Sequence, residues 1–367
     1  MQIIKILHTV RLSTVEKGRE NNLNLIRFLF ATSVILSHSY AVRREFSHDP
    51  MHLLLNWGDL GGTAVFGFFF ISGFLILKSA LRAETAESYL AARALRIFPA
   101  LAVTIMLCAF VLGPIVSTDY IGQYFSSSGT WAFLGDAILH HTQDSLPGVF
   151  RNHPVQNIVN VSIWTLPAEW TLYIVTLLAC LVARRKSLAG SFSLSSWLFL
   201  IAALLLTVQM QTLPWASAWR WIACFFVGAI CYLARKKVLL SLPVALGIMG
   251  ADLLIIRHFS RHLGAELFPL ALCYLIITFG YHPAVHVRSF HHFGDYSYGL
   301  YITGWPLQQV LVLHTSSALS LFAVAYPSAL FLAILSWHFI EKPCLAFKGK
   351  AKKALDVGTY TGCTVTT

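Results

Sequence analysis

Several side chains stand where an apolar helix should not carry them, and their types suit proton and group transfer. The stretch Asn21–Tyr40 reads NNLNLIRFLFATSVILSHSY and holds Arg27 and His38 in one apolar run. Eleven positions at 100° per residue return to within about 20° of the same face, about 16 Å further along the axis. A second run, Trp164–Tyr173, carries Glu169 and Tyr173 four apart on one face, just after Pro167. A buried carboxylate needs a partner, and Glu beside His makes a general-base arrangement. Asp59, in the run Trp57–Phe74, falls level with His38 and Glu169. Plainer readings stand beside these. Arg27 can reach to the headgroups, His38 can sit at an interface, Glu169 can bond backbone near Pro167, and Asp59 can cap a helix.

At the other end of these helices, Tyr89–Pro99 sets Arg93 and Arg96 about one turn apart. Two guanidinium groups on one face suit a phosphate or pyrophosphate, although charge alone equally suits anchoring at a membrane surface. Ser72 lies mid-run in FFISGF without the G-x-S-x-G elbow of an activated nucleophile, so helix packing is its default. The run Gly294–Pro306 places Asp295 with Tyr296, Tyr298 and Tyr301 at the entrance of a span, as a hydrogen-bonded belt. Glu341 closes the last apolar run and is expected to pair with a basic group. Cysteine spacing suggests neither a zinc site nor a disulfide framework, and no other metal site is indicated.

The elements that must position these residues are membrane helices. Of 367 residues, 56% are hydrophobic and only 12% charged, which is too little charge to cover a soluble protein of this size. Runs long enough to span lie near 22–41, 62–81, 97–115, 162–183, 194–212, 215–233, 238–256, 264–280, 296–313 and 318–340. The pair 194–212 and 215–233 turns at Leu213 and Pro214. Ten spans put 20 of the 27 Lys and Arg on one side and six on the other, with Arg27 inside the first span. By the positive-inside rule both termini are then cytoplasmic. The net charge of +11 thereby reads as topology, with an anionic ligand at the inner face, rather than as nucleic-acid binding. The expected class is an all-α polytopic bundle: a cytoplasmic segment 1–21, a transmembrane domain 22–343 and a basic tail 344–367, disordered at its polar end. No cleaved signal peptide is expected. Two outer loops, 41–60 and 116–161, are long enough to contribute to recognition, the second with Asp136, His140, His141 and His153.

These segments together resemble the acyltransferase-3 family of integral membrane acyltransferases, which includes bacterial O-acetyltransferases of surface polysaccharides, exopolysaccharides and nodulation factors. The matching elements occur in order: Arg27 and His38; Phe69–Phe74; Arg93, Arg96 and then Ile97–Pro99; Trp164–Glu169; Ser297–Tyr301; and Glu341–Pro343. The resemblance implies a bacterial inner-membrane enzyme without a permanent cofactor. Its donor would be a cytoplasmic acyl-CoA, usually acetyl-CoA, and its acceptor a sugar hydroxyl of an extracytoplasmic or lipid-linked glycan. Polysaccharide synthesis or export machinery would be a possible partner. Carried over, His38 is the essential histidine and Arg27 shares its motif, with Glu169, Asp59 and Tyr173 grouped on the catalytic side. Arg93 and Arg96 are the pair that engages acyl-CoA, with Ser72 and Tyr298 on the donor side. Direct transfer with His38 as base and a covalent acyl relay both remain open. Two departures matter. Asn22 and Asn24 stand where an acidic partner of Arg27 is common, so Arg27 must find another counter-charge, and Gly304 precedes Trp305 and Pro306 where many members carry a His. A transporter using the intramembrane Arg, His and Glu as a relay is the alternative class, although no repeated halves support it.

Overall fold

In lipid every backbone polar group must be satisfied within its own segment, so long apolar runs fold as helices. The computed structural model describes residues 8–17, 20–139, 144–185, 218–287 and 294–347. Among the described residues nine helices form the frame: α1 Leu23–Val42, α2 Leu60–Arg82, α3 Ala86–Leu107, α4 Leu166–Arg185, α5 Ala218–Leu233, α6 Leu242–Leu254, α7 Arg261–Tyr281, α8 Ser297–Leu311 and α9 Ala318–Ser336. Wide π turns extend α3 through Cys108–Leu112, α6 through Ile255–Phe259 and α9 through Trp337–Glu341.

Seven of these units are long and apolar enough to cross a membrane. They match seven expected spans to within a few residues, apart from α3, which begins earlier, and the last unit, which runs on to Phe347. The expected spans 215–233 and 296–313 are occupied by the shorter helices α5 and α8. The expected span 194–212, the turn at Leu213 and Pro214, residues His140 and His141, and most of the basic tail lie outside the described residues.

Local chemistry sets the helix starts. Asp59 accepts from the Gly62 amide at 2.6 Å, Thr85 from Ser88 and Ser260 from Leu263, while Ser317 and Ser320 form a reciprocal box. Each cap satisfies an amide that a helix start otherwise leaves open. Pro167 falls in the first turn of α4, where a missing N–H costs little. Just before it, the 3₁₀ turn Val161–Thr165 passes into the α-helix.

The central helix is α2, which packs against α1, α4, α5 and α7, while α8 lies between α1 and α9. Close approach of α2 and α5 requires glycine: a Cβ on Gly73 would stand 1.8 Å from the Phe225 carbonyl oxygen, and one on Gly228 2.1 Å from that of Phe70. Small residues at such crossings let backbones meet where lipid supplies no hydrophobic drive. Before the bundle, β1 (Val10–Arg11) pairs antiparallel with β2 (Leu239–Leu240). Lys78 Nζ donates to the Glu16 carbonyl at 2.7 Å and its carboxylate at 2.5 Å, so the segment preceding α1 is fastened to α2.

Gly73→Ala is therefore expected to destabilise the bundle by about 1–3 kcal/mol through overpacking. Gly247→Ala, whose added Cβ meets nothing within 4 Å, leaves stability unchanged or slightly raised. Heat-denaturation midpoints of the two variants in detergent check the contrast.

Candidate active site

Four charges from separate elements meet at the end of the bundle where α1 begins. Arg27 Nη1 donates to Asp295 Oδ2 at 2.7 Å, and Arg96 Nη2 donates to the same oxygen at 2.7 Å. Arg96 Nη1 reaches Glu341 Oε2 at 2.9 Å. Hydroxyls complete both acids: Ser297 donates to Asp295 at 2.5 Å and Ser336 to Glu341 at 3.0 Å. Asp295 is thus the counter-charge that the sequence left unassigned for Arg27. Burial raises the Asp295 carboxyl, but Arg27, Arg96 and Ser297 outweigh it and hold it at about 2, against an ordinary 3.8. With the folded value depressed, this contribution is complete above about pH 4 and is lost as pH falls through about 2. Asp295 is therefore ionised at neutral pH.

Above this junction lies a cavity of about 110 Å³, lined by residues of α1, α2, α3, α4 and α8. It is lined by Arg27, Ser72, Arg93, Arg96, Glu169, Tyr173 and Tyr298, together with apolar and aromatic neighbours. Seven of the nine expected site residues therefore share one space. Their commitments differ. Arg96 is divided between two carboxylates and also lies 5.7 Å from the Tyr298 ring. Arg93 has no carboxylate partner among the described residues, and its Nε is buried without an acceptor. It is the guanidinium available to an anionic ligand.

Glu169 sits in the first turn of α4, where the partial positive charge of a helix start favours a carboxylate. Its Oε1 accepts from Ser72 Oγ at 3.1 Å and from the Tyr173 hydroxyl. Tyr298 donates to the Ile97 carbonyl at 2.9 Å, and Thr165 and Tyr301 hydroxyls meet at 2.8 Å. These bonds hold the cavity wall by tying α2, α3, α4 and α8 together.

His38 and Asp59 belong to a second group further along α1. The His38 ring stands edge-on to Trp305, with centroids 5.0 Å apart, and its Nδ1 is buried without a hydrogen-bond partner among the described residues. Asp59 is the exposed cap of α2 and receives a 3.3 Å bond from Ser37. The Glu169 acceptor is thus occupied by Ser72 and Tyr173, while His38 packs on Trp305.

Sequence reasoning missed the buried polar groups around His38. Asp49, 1% exposed, accepts from Ser37 at 2.6 Å and from the amides of Met51 and Leu60 at 2.9 Å each. The Asp49–Pro50 pair was a readable helix-start signal. Gln308 is fully buried and donates to the Ile35 carbonyl at 2.6 Å and Ser39 Oγ at 2.7 Å. An adjacent pair of amides, Gln308 and Gln309, in an apolar run was the clue there.

Removing the shared acid leaves two guanidinium groups facing each other. Asp295→Asn is expected to cost about 3–5 kcal/mol, the range for breaking a buried pair. Glu45→Gln, at the half-exposed Arg43–Glu45 pair, costs less than about 1 kcal/mol. Denaturation midpoints of the purified variants separate the two cases.

Comparison with known proteins adds an independent line. The acyltransferase-3 family model, described as "Acyltransferase domain", matches residues 20–338. An "O-acetyl transferase" of Shigella phage Sf6 is 31% identical over 354 residues, covering 92% of this chain and 99% of that protein. "Nodulation protein 10" of Rhizobium leguminosarum bv. viciae is 26% identical over 381 residues, covering 90% of this chain and 95% of its own length. No solved structure matches at a significant level. Between the enzyme and the transporter left open by the residues alone, the match decides for the enzyme. The chain belongs to the acyltransferase-3 family and is a multi-pass membrane acyltransferase.

Proposed function

We propose that this protein carries an acyl group, acetyl in the simplest case, from acyl-CoA to a sugar hydroxyl of a surface or lipid-linked glycan. The observation that carries the reading is the cavity in which Arg93, free of any carboxylate partner among the described residues, shares a wall with Ser72, Glu169 and Tyr173. The names of the two relatives support O-acetylation as the reaction. In this reading the enzyme lies in the bacterial inner membrane with both termini cytoplasmic, so the Arg93 end faces the cytoplasm and the His38 end faces outward.

Arg93 then binds the donor's phosphates, with Arg96 and Arg27 supplying positive potential while their own bonds hold the mouth rigid. The flexible pantetheine arm extends up the cavity. His38 Nδ1, buried and without a partner among the described residues, accepts the proton of the sugar hydroxyl as its oxygen attacks the thioester carbonyl carbon. The carbon–sulfur bond breaks, the CoA thiolate leaves, and the proton on His38 is returned to it. Trp305, edge-on to the ring, keeps the imidazole oriented.

A relayed route has one specific support. Ser72 Oγ donates to Glu169 at 3.1 Å within the cavity, so Glu169 can take its proton if Ser72 holds the acyl group as an ester before transfer. Acid-quenched protein after incubation with labelled acetyl-CoA, without acceptor, separates the routes. Direct transfer leaves no label on the chain, whereas the relay leaves an ester that is absent in Ser72→Ala.

The reading is tested in membrane vesicles given radiolabelled acetyl-CoA and the host's surface glycans. His38→Ala is expected to lower kcat by about 10²–10⁴-fold at equal expression. Arg93→Ala is expected to raise KM for acetyl-CoA by about 10–100-fold with a smaller change in kcat. Equal transfer by wild type and His38→Ala would remove His38 from the chemistry.

A further inference from the structure

The end of the bundle that holds His38 carries a second cluster that the reaction above does not use. It is built from the turn before α2, the turn before α4, the first turn of α5 and the second turn of α7: Trp57, Trp164, Trp219, Arg220, Trp221 and Glu266. Arg220 stands near two indoles, its Cζ 5.9 Å from the Trp57 ring centre and 5.5 Å from that of Trp219. The same guanidinium pairs with the Glu266 carboxylate through Nη2. Trp221 packs on Trp164 with centroids 4.9 Å apart and on Phe66 at 6.2 Å. Trp219 is 37% exposed.

Two observations distinguish this cluster from an ordinary belt of aromatics at a membrane interface. Belt tryptophans set the ring at headgroup level. Here Trp221 is buried and its Nε1, like Arg220 Nε, is buried with no acceptor among the described residues. An unmet donor carries a standing penalty that an incoming oxygen removes. Second, Glu266 balances Arg220, so the cluster is neutral and offers no surplus charge to a headgroup phosphate. Indole faces beside a neutral set of donors and acceptors suit a ligand with an apolar C–H face and a rim of hydroxyls. A sugar ring has both.

Its position also fits. Val65, Thr165 and Leu166 line the cavity, and their sequence neighbours Phe66 and Trp164 hold Trp221. The cluster therefore stands behind the cavity wall, at the end opposite the Arg27–Asp295–Arg96 junction. We propose that Trp57, Trp219, Arg220, Trp221 and Glu266 form a saccharide subsite for the acceptor, with one sugar ring stacked on the exposed indole of Trp219 and its hydroxyls bonded by the Arg220–Glu266 pair. This rests on the glycan-acceptor reading above, and it assigns recognition to a place apart from His38.

The test uses the full chain in lipid nanodiscs, with de-O-acetylated oligosaccharides released from the host's surface glycan as the probe. Binding is read by saturation-transfer NMR, independently of turnover, and transfer is read with labelled acetyl-CoA. Trp219→Ala is expected to weaken glycan binding and raise the glycan KM by about tenfold. The KM for acetyl-CoA and kcat at saturating glycan are expected to stay within about twofold. Trp219→Phe recovers most of the binding, and Glu266→Gln weakens it without unfolding the chain. Trp131→Ala, which removes an exposed indole elsewhere, leaves both readouts unchanged. Transfer by wild type with the same glycan KM in Trp219→Ala would overturn the subsite and leave the acyltransfer reading intact. Equal losses in Trp131→Ala and Trp219→Ala would also overturn it, in favour of a lipid-facing belt. Glycan binding lost in Trp219→Ala, in a protein that acylates no glycan, would support the subsite and overturn the acceptor assignment. Absence of glycan binding to the wild type overturns the subsite outright.

Discussion

One oxygen of Asp295 receives two guanidinium groups, and much of that end of the bundle depends on the arrangement. Arg27 comes from α1, Arg96 from α3, and Asp295 from the residues preceding α8, while Glu341 adds the end of α9. Four elements far apart in sequence are thereby joined at one end of the bundle. In a low-dielectric surrounding an isolated charge is costly, and a chain of alternating charges is tolerated because each has an opposite neighbour and additional hydroxyl donors. The chain is balanced within itself, two positive groups against two negative. Arg93, one turn from Arg96, stands outside that balance and is left to the cavity.

The same economy appears in the cavity wall. Glu169 is stabilised by a helix start, a serine and a tyrosine rather than by a cation. A carboxylate held this way stays fixed without neutralising Arg93. The wall also ties α2 to α4, and α2 is the helix around which the others assemble. Close contact between α2 and α5 through Gly73 and Gly228 leaves little freedom at that wall. Rigid placement matters to group transfer because small errors in approach are expensive in rate.

Polar groups at the two ends of α1 divide the work. Near Arg27 they are charged and committed to one another. Near His38 they are mostly neutral amides and hydroxyls, with Asp49 buried beneath them and Gln308 bridging to α1. About 16 Å of helix separates Arg27 from His38. In the function proposed above, the donor's phosphates would occupy the charged end and the acceptor would approach the other.

Apolar run length and composition determined the membrane helices by themselves, because a backbone in lipid has no other way to satisfy its polar groups. Charges inside those runs pointed to Arg27 and Glu169, since an ionised group in such a run must have a reason to be there, and charges at the ends of runs pointed to Arg93, Arg96, Asp295 and Glu341. Pairing was not legible. Periodicity put Arg27 and His38 on one face and suggested Glu169 beside His38, yet Glu169 bonds to Ser72 and Tyr173, and Arg27 to a residue 268 positions away. Spacing along one helix fixes which face a side chain takes, but not which neighbouring helix lies against that face. Only the packing of α1, α2, α3, α4 and α8 around a common space decided that Arg96 is a brace, that Arg93 is free of carboxylates among the described residues, and that His38 meets Trp305. The amides of Gln308 and Gln309 and the carboxylate of Asp49 passed as ordinary loop or helix residues until the tertiary structure buried them.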